Sequence, residues 1–163
     1  MGCCRVTRKD GSAMRELTVY RRYFYDSKCY KTSVTQTPKG VQVHNTSSNP
    51  ALKRWVQPDD GRIGYNQYQN SHNNPNGTVC ANAYIGKMED GTVAVYQTLP
   101  WDKRCWLSGS GKAGSANKAG YIGFEIGCDS SSWDRNYFID AVMTKSVNLT
   151  AYLCQEYGID PFY

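Results

Sequence analysis

The sequence contains very little histidine, and this shortage limits its chemistry more than any other feature. His44 and His72 are the only two histidines in 163 residues. Imidazole is the usual acid–base group near neutral pH and the commonest metal ligand among side chains. His44 ends a short apolar segment and enters a polar turn, whereas His72 lies in a polar stretch and is interpreted as a solvated loop residue. A site built from several histidines is therefore excluded, and any such chemistry depends largely on His44.

Other absences narrow the class of protein. The seven cysteines include no CxxC pair, so neither a zinc ribbon nor a complete disulfide framework is indicated, and most of the cysteines are expected to be buried thiols. No apolar segment is long enough to cross a membrane, so we expect no membrane insertion. The first residues lack the apolar core of a signal peptide, so we expect the protein to be synthesised in the cytoplasm without a signal peptide. The net charge of +5 is not concentrated in any basic run, and no motif supports a nucleic-acid partner.

The composition is that of a folded protein with one domain. Hydrophobic residues make up 40% of the chain and charged residues 20%, which is ordinary for a globular domain of this length. Residues 1–15 are predicted to be a polar leader, of a composition that permits disorder, and residues 16–163 the domain. The spacing of Leu17, Tyr20 and Phe24 predicts a short helix over residues 16–24.

Periodicity and turn signals predict the remaining elements. Residues 41–44 form a strand, and the polar stretch 45–77 is predicted to be a functional loop with a short helix near residues 52–56. Asp90-Gly91 between apolar runs predicts a hairpin, residues 121–126 alternate as a strand does, and residues 135–157 carry a helical apolar stripe. This order indicates an α/β or α+β domain with a mixed sheet.

The strand at residues 121–126 also places a carboxylate where it can act. Ile122, Phe124 and Ile126 share one face, and Glu125 lies on the other beside Gly123. Because glycine has no side chain, we expect open space in front of Glu125.

Four segments together carry a resemblance to a known family. They are PKGVQVHNT at 38–46, AYIGKMEDG at 83–91, YQTLPW at 96–101 and YIGFEI at 121–126. In this order they resemble the zinc-dependent N-acetylmuramoyl-L-alanine amidases, a family that includes phage and bacterial wall lysins and the peptidoglycan recognition proteins. The resemblance covers roughly residue 16 to the end of the chain. It implies an α/β domain in which helices flank a mixed sheet, with a groove that holds a muramyl peptide.

The resemblance also implies a reaction and the residues for it. Members of the family hydrolyse the amide between N-acetylmuramic acid and L-alanine in peptidoglycan with a zinc-activated water. His44 matches the first zinc ligand, and Glu125 matches the acidic residue that takes a proton from the water. Asn82 stands where relatives place a His or Tyr that steadies the oxyanion.

Three further residues are candidates for substrate binding. Asn117 falls where the family tends to keep an asparagine. Trp101 and Trp106 offer faces on which sugars stack, although aromatic residues beside a sheet also serve as core.

The departures from the family pattern bear on activity. Relatives supply a second His and then a Cys or Asp after the helix that follows the Glu strand, and this chain stops at Tyr163 just past that helix. We therefore expect a domain that is incomplete at its C-terminus, Zn²⁺ that is weakly bound or absent, and little or no amidase activity from these residues alone. The alternative function is a non-catalytic muramyl-peptide binding module. In either case the expected place of action is the bacterial cell wall, reached after release from the cell.

Overall fold

The computed structural model describes residues 3–7, 13–32, 34–47, 73, 75–88, 90–128 and 134–162. The strands are β1 (Cys3–Thr7), β2 (Ala13–Arg21), β3 (Gly40–Asn45), β4 (Ala83–Lys87), β5 (Val93–Gln97) and β6 (Tyr121–Ile126). The helices are α1 (Lys28–Thr32), α2 (Arg135–Phe138), a π-helical segment (Ile139–Ser146) and α3 (Val147–Tyr157).

All six strands join one mixed sheet in the order β1-β2-β5-β4-β6-β3. Strands β3, β6 and β4 run parallel to one another, and β2 runs parallel to β5. The β4–β5 and β1–β2 pairs are antiparallel. This mixed sheet with helices confirms the predicted fold class, and it places β3 at an edge with β6 as its neighbour.

Each face of the sheet is covered by a separate apolar cluster. On one face, Ile122, Phe124 and Ile126 pack with Leu149 and Leu153 of the C-terminal helix. This confirms the alternation predicted for β6. The cluster on the opposite face joins α1 and the segment after β5 to the sheet; it contains Phe24, Cys29, Cys80, Ala81, Tyr84, Ala94, Tyr96, Leu99, Cys105 and Leu107.

The predicted hairpin and C-terminal helix are both confirmed. Lys87 pairs with Val93 across the hairpin, and Gly91 adopts φ +84° in its turn, a conformation that favours glycine. The C-terminal helix runs from residue 135 to residue 157, with π-helical geometry in its middle. Asp134 caps its start by accepting a hydrogen bond from the Asn136 backbone N–H, and Gly158 ends it in the left-handed conformation.

The helix predicted over residues 16–24 is wrong, because residues 13–21 form strand β2. Leu17 and Val19 face the core beneath the C-terminal helix, and Tyr20 stacks on Tyr96 toward the opposite face. Pairing with β1 and β5 therefore prevails over a spacing that also fits a helix. Strand β1 and the start of β2 lie within residues 1–15, the segment predicted to be a polar leader. The described residues of that segment therefore belong to the sheet. The domain limits stay a prediction, and the helix predicted at 52–56 lies outside the described residues.

Among the cysteines whose side chains the structure describes, one pair is oxidised. Cys29 of α1 and Cys80, just before β4, form a disulfide, a link that no sequence motif indicated. Cys105, Cys128 and Cys154 are thiols, and burial raises the pKa of the Cys105 thiol to about 11. In the described ranges, no helix has the length and apolar character that crossing a membrane requires.

Candidate active site

His44 and Glu125 meet on neighbouring strands. They are register partners in the parallel β3–β6 pair, so their side chains lie side by side on the same face of the sheet. The distance from His44 Nδ1 to Glu125 Oε2 is 3.3 Å, and the same nitrogen lies 2.8 Å from the carbonyl oxygen of Asn45. The structure thus brings together the two residues that the sequence analysis placed at the centre of the site.

The contacts of His44 fix which ring nitrogen carries the proton. A carbonyl oxygen only accepts hydrogen bonds, so Nδ1 donates to Asn45 and carries the hydrogen. In the neutral imidazole the lone pair is then on Nε2. The His44 side chain is 55% exposed. It therefore offers Nε2 to a ligand, in the tautomer that metal-binding histidines adopt when Nδ1–H is held by an oxygen.

Glu125 is the buried member of the pair. Its side chain is 8% exposed, and its register partner on the other side is the fully buried Tyr84. Burial raises the pKa of Glu125, and the neighbouring His44 opposes part of that shift. Burial also raises the pKa of Tyr84, and the charge of the neighbouring Glu125 raises it further. A carboxylate with a raised pKa is a better proton acceptor than an ordinary surface glutamate.

The open space expected beside Glu125 is absent, and that prediction is wrong. A Cβ on Gly123 would lie 2.7 Å from Cys105 Sγ, 2.7 Å from Leu107 Cδ2 and 3.0 Å from Gln42 Nε2. Because Gly123 has no side chain, other side chains of the protein fill the space in front of it and pack against β6 beside Glu125.

Asn82 has a structural position that differs from its predicted catalytic role. Its Nδ2 donates to the carbonyl oxygens of Pro100 at 2.8 Å and Lys103 at 2.9 Å. Its Oδ1 accepts from the Gly123 N–H at 3.0 Å, and the residue is fully buried. Both amide hydrogens are therefore used within the fold. We infer that Asn82 ties the segment after β5 to strand β6 and leaves no donor for an oxyanion.

Asn117 also holds the protein together, in a network that includes a residue the sequence analysis missed. Its Oδ1 accepts from Gln42 Nε2 at 3.0 Å and from the Leu107 N–H at 3.2 Å, and its Nδ2 donates to the Ser108 carbonyl at 2.6 Å. Gln42 Oε1 in turn accepts from Ser108 Oγ at 3.0 Å. Gln42 precedes His44 by two residues on β3, and residues two apart on a strand lie on the same face of the sheet. This spacing was the sequence signal that could have identified Gln42 as a neighbour of the site. The network fixes the loop after residue 107 against the strand that carries His44.

The two tryptophans occupy different surroundings. Trp101 is 9% exposed and belongs to the core beneath the C-terminal helix, so the core interpretation holds for it. Trp106 is half-buried and packs against the cluster on the face that carries Glu125. Its role in sugar stacking stays a prediction.

The described residues do not supply a complete zinc site. A catalytic zinc takes three protein ligands and leaves one position for water. In the described part of the chain, no group of three or more His, Cys, Asp or Glu side chains is placed to hold a metal ion. His44 offers one suitable nitrogen, and the other histidine, His72, lies outside the described residues.

Comparison with known proteins identifies the fold and the family. A family model described as N-acetylmuramoyl-L-alanine amidase matches residues 34–163. Among solved structures, PlyL is similar, with a TM-score of 0.57 and 24% identity over 87% of this chain and 76% of that chain. The catalytic domain of XlyA gives a TM-score of 0.56 and 19% identity over 87% of this chain and 78% of that chain. The Staphylococcus aureus hydrolase AmiA, solved in complex with its ligand, gives 0.53 and 20% identity over 91% of this chain and 60% of that chain. No curated protein sequence matches the chain.

Proposed function

Because the chain belongs to the N-acetylmuramoyl-L-alanine amidase family, we propose that it acts on bacterial peptidoglycan and hydrolyses the amide between N-acetylmuramic acid and L-alanine. The observation that carries this proposal is the contact between His44 and Glu125, an exposed imidazole beside a buried carboxylate. The similar folds of PlyL and XlyA support it. The place of action is the bacterial cell wall.

In the proposed reaction Glu125 is the general base. It takes a proton from the attacking water, whose oxygen adds to the amide carbonyl carbon. The carbon–nitrogen bond then breaks and the proton passes to the leaving nitrogen. The products are a carboxylate on the lactyl group of the sugar and a free amino terminus on L-alanine. His44 lies on the exposed side of the pair, with its Nδ1 3.3 Å from Glu125 Oε2.

The family resemblance implies zinc as the metal of this site. The described residues offer His44 as a ligand and do not complete a site around it. When bound in such enzymes, the metal lowers the pKa of a water molecule and polarises the carbonyl.

The test is the release of alanine amino termini from purified peptidoglycan. The departures from the family pattern predict that the unsubstituted chain releases alanine only slowly. We expect that slow release to fall at least about 100-fold in Glu125→Gln, since general bases contribute about 10²–10⁴-fold. Glu156→Gln is the matched control, because Glu156 is exposed on α3. Equal release by Glu125→Gln and by the control would contradict the assigned role.

A second candidate is a muramyl-peptide binding module without catalysis. It is favoured by the lack of a metal-ligand group in the described part of the chain. Metal analysis with calorimetric titration of a muramyl dipeptide separates the two candidates. Substoichiometric zinc with peptide binding but no alanine release supports the binding module. Stoichiometric zinc that is lost on His44→Ala, together with alanine release, supports the enzyme.

A further inference from the structure

The loop after β2 and helix α1 bring three tyrosines into contact at the protein surface. The ring centroids of Tyr25 and Tyr30 are 5.0 Å apart, and Tyr23 lies 6.0 Å from Tyr25 and 6.1 Å from Tyr30. Tyr25 is 61% exposed. We call this group the tyrosine platform. It presents an apolar ring face together with hydroxyl groups that form hydrogen bonds, a combination suited to a sugar.

Two cations lie over the platform. The Arg21 guanidinium is 5.7 Å from the Tyr23 ring centroid, and the Lys103 ammonium is 5.1 Å from that of Tyr30. Arg21 is exposed, and its Nε contacts Gln97 Oε1 at 3.3 Å. Arg21 and Lys103 are 82 positions apart in the sequence, so no run of basic residues in the sequence indicated that these two cations lie together. The fold therefore concentrates positive charge on an aromatic surface.

Helix α1 holds Tyr30 of the platform in place before any ligand binds. The Tyr30 N–H donates to Ser27 Oγ at 3.0 Å, and its carbonyl accepts from Lys103 Nζ at 2.9 Å. The neighbouring Cys29 is joined to Cys80 by the disulfide. Binding at rings that are already ordered avoids much of the entropy cost of immobilising side chains.

The platform lies apart from the His44–Glu125 site. Tyr23, Tyr25 and Tyr30 precede residues 34–163, which match the family model. Strand β2, which leads into the platform, is separated from β6 by β5 and β4. At ~4.8 Å per strand spacing, this separation is ~14 Å across the sheet. A small muramyl peptide bound at Glu125 does not need the platform, whereas a glycan strand of several sugars is long enough to span a separation of this size.

We propose that the tyrosine platform, with Arg21 and Lys103, is a binding site for the glycan strand of peptidoglycan from which the peptide has been removed. The proposal rests on the proposed function, because amide hydrolysis leaves a carboxylate on the lactyl group of the sugar. A sugar face stacks on the exposed Tyr25 ring, and the new carboxylate pairs with Arg21 or Lys103. The enzyme is thereby kept on a strand that still carries uncut peptides.

The charges at the platform favour this ligand over a nucleic acid. The Asp26 carboxylate lies 3.8 Å from Lys31 Nζ. Burial is the main cause that raises the pKa of the Tyr23 phenol, and the charge of the nearby Asp102 adds a small contribution in the same direction. Two carboxylates beside the platform disfavour a nucleic acid, because a nucleic acid carries a negatively charged phosphate at every nucleotide. They are tolerable for a strand with carboxylates only on its muramic acid sugars.

The experiment is calorimetric titration of the full chain with peptide-free glycan strands, compared with the same strands after their carboxylates are converted to methylamides. We expect the carboxylate form to bind the unsubstituted chain more tightly. Tyr25→Ala should weaken both forms about tenfold, as loss of an aromatic anchor does at other binding sites. Tyr25→Phe should keep affinity within about threefold, since the ring remains.

Charge variants test the second half of the proposal. Arg21→Ala should remove most of the preference for the carboxylate form, whereas Lys112→Ala, at an exposed lysine in the loop after residue 108, should leave it unchanged. Glycan affinity that is unaffected by Tyr25→Ala would overturn the proposal. A single-stranded DNA oligonucleotide that binds more tightly than glycan, and loses affinity on Tyr25→Ala, would also overturn it.

Alanine release from a soluble muramyl peptide separates this proposal from the function on which it rests. Retained release with lost glycan binding in Tyr25→Ala supports the platform and the enzyme together. No release by the unsubstituted chain, with glycan binding that still depends on Tyr25, contradicts the enzymatic function and supports the platform as a glycan site. Release that persists with no measurable glycan binding contradicts the platform alone.

Discussion

Replacing Asn82 by alanine should destabilise the protein strongly, because this buried side chain makes three hydrogen bonds. The substitution removes the donors to Pro100 and Lys103 and the acceptor of the Gly123 N–H. Each bond contributes about 1 kcal/mol net, and buried partners left without a hydrogen bond add to the loss, so we expect about 3–5 kcal/mol. That is a large part of the 5–15 kcal/mol typical of a domain.

Urea denaturation followed by tryptophan fluorescence measures this free energy of unfolding. Asn136→Ala is the matched control, since Asn136 is exposed on α2 and its loss should change stability by at most about 0.5 kcal/mol. Alanine release by Asn82→Ala should fall in proportion to the folded fraction. A loss of release with less than about 1 kcal/mol of destabilisation would refute the structural role and return Asn82 to the catalytic one.

Three further substitutions follow from the same contacts. Glu125→Gln should raise the free energy of unfolding at neutral pH. Burial raises the pKa of Glu125, so the folded chain binds the proton of this carboxyl group more tightly than the unfolded chain does. Ionisation of Glu125 at neutral pH therefore costs stability, and glutamine does not ionise. Denaturation across pH should show this gain disappearing as pH falls to the ordinary glutamate pKa of about 4.3. Gly123→Ala should cost about 1–3 kcal/mol by urea denaturation, because its Cβ would lie 2.7 Å from Cys105 Sγ; an unchanged midpoint would show that the neighbours yield freely. Replacing Cys29 and Cys80 by serine should cost about 4 kcal/mol, given a sequence separation of 51 residues, and a reductant should lower the unfolding temperature of the unsubstituted chain but not that of the variant.

The local patterns of the sequence predicted much of the fold. Alternation at residues 121–126 gave the correct faces for Phe124 and Glu125, and the Asp90-Gly91 turn gave the hairpin. Both depend on neighbours along the chain. Strand β2 was missed because its apolar spacing fits two periodicities, and only pairing with β5 decides between them.

The site was predictable only in part. The family resemblance selected His44 and Glu125, but their contact depends on the parallel register of two strands that are far apart in sequence. The structural roles of Asn82 and Gly123 also depend on contacts between segments that are distant in the sequence, so they could not be predicted from local patterns. The carbonyl groups that Asn82 contacts, and the Cys105 side chain that fills the space at Gly123, come from other segments. The same holds for the Cys29–Cys80 disulfide.

The most direct test of the account combines activity and stability in one variant. The measurement is alanine release from peptidoglycan by Glu125→Gln, made together with its denaturation curve at neutral pH. We predict release at least about 100-fold below that of the unsubstituted chain, in a protein that is as stable or more stable. Release at the level of the unsubstituted chain by a folded Glu125→Gln protein would contradict the claim that the buried carboxylate beside His44 is the catalytic base.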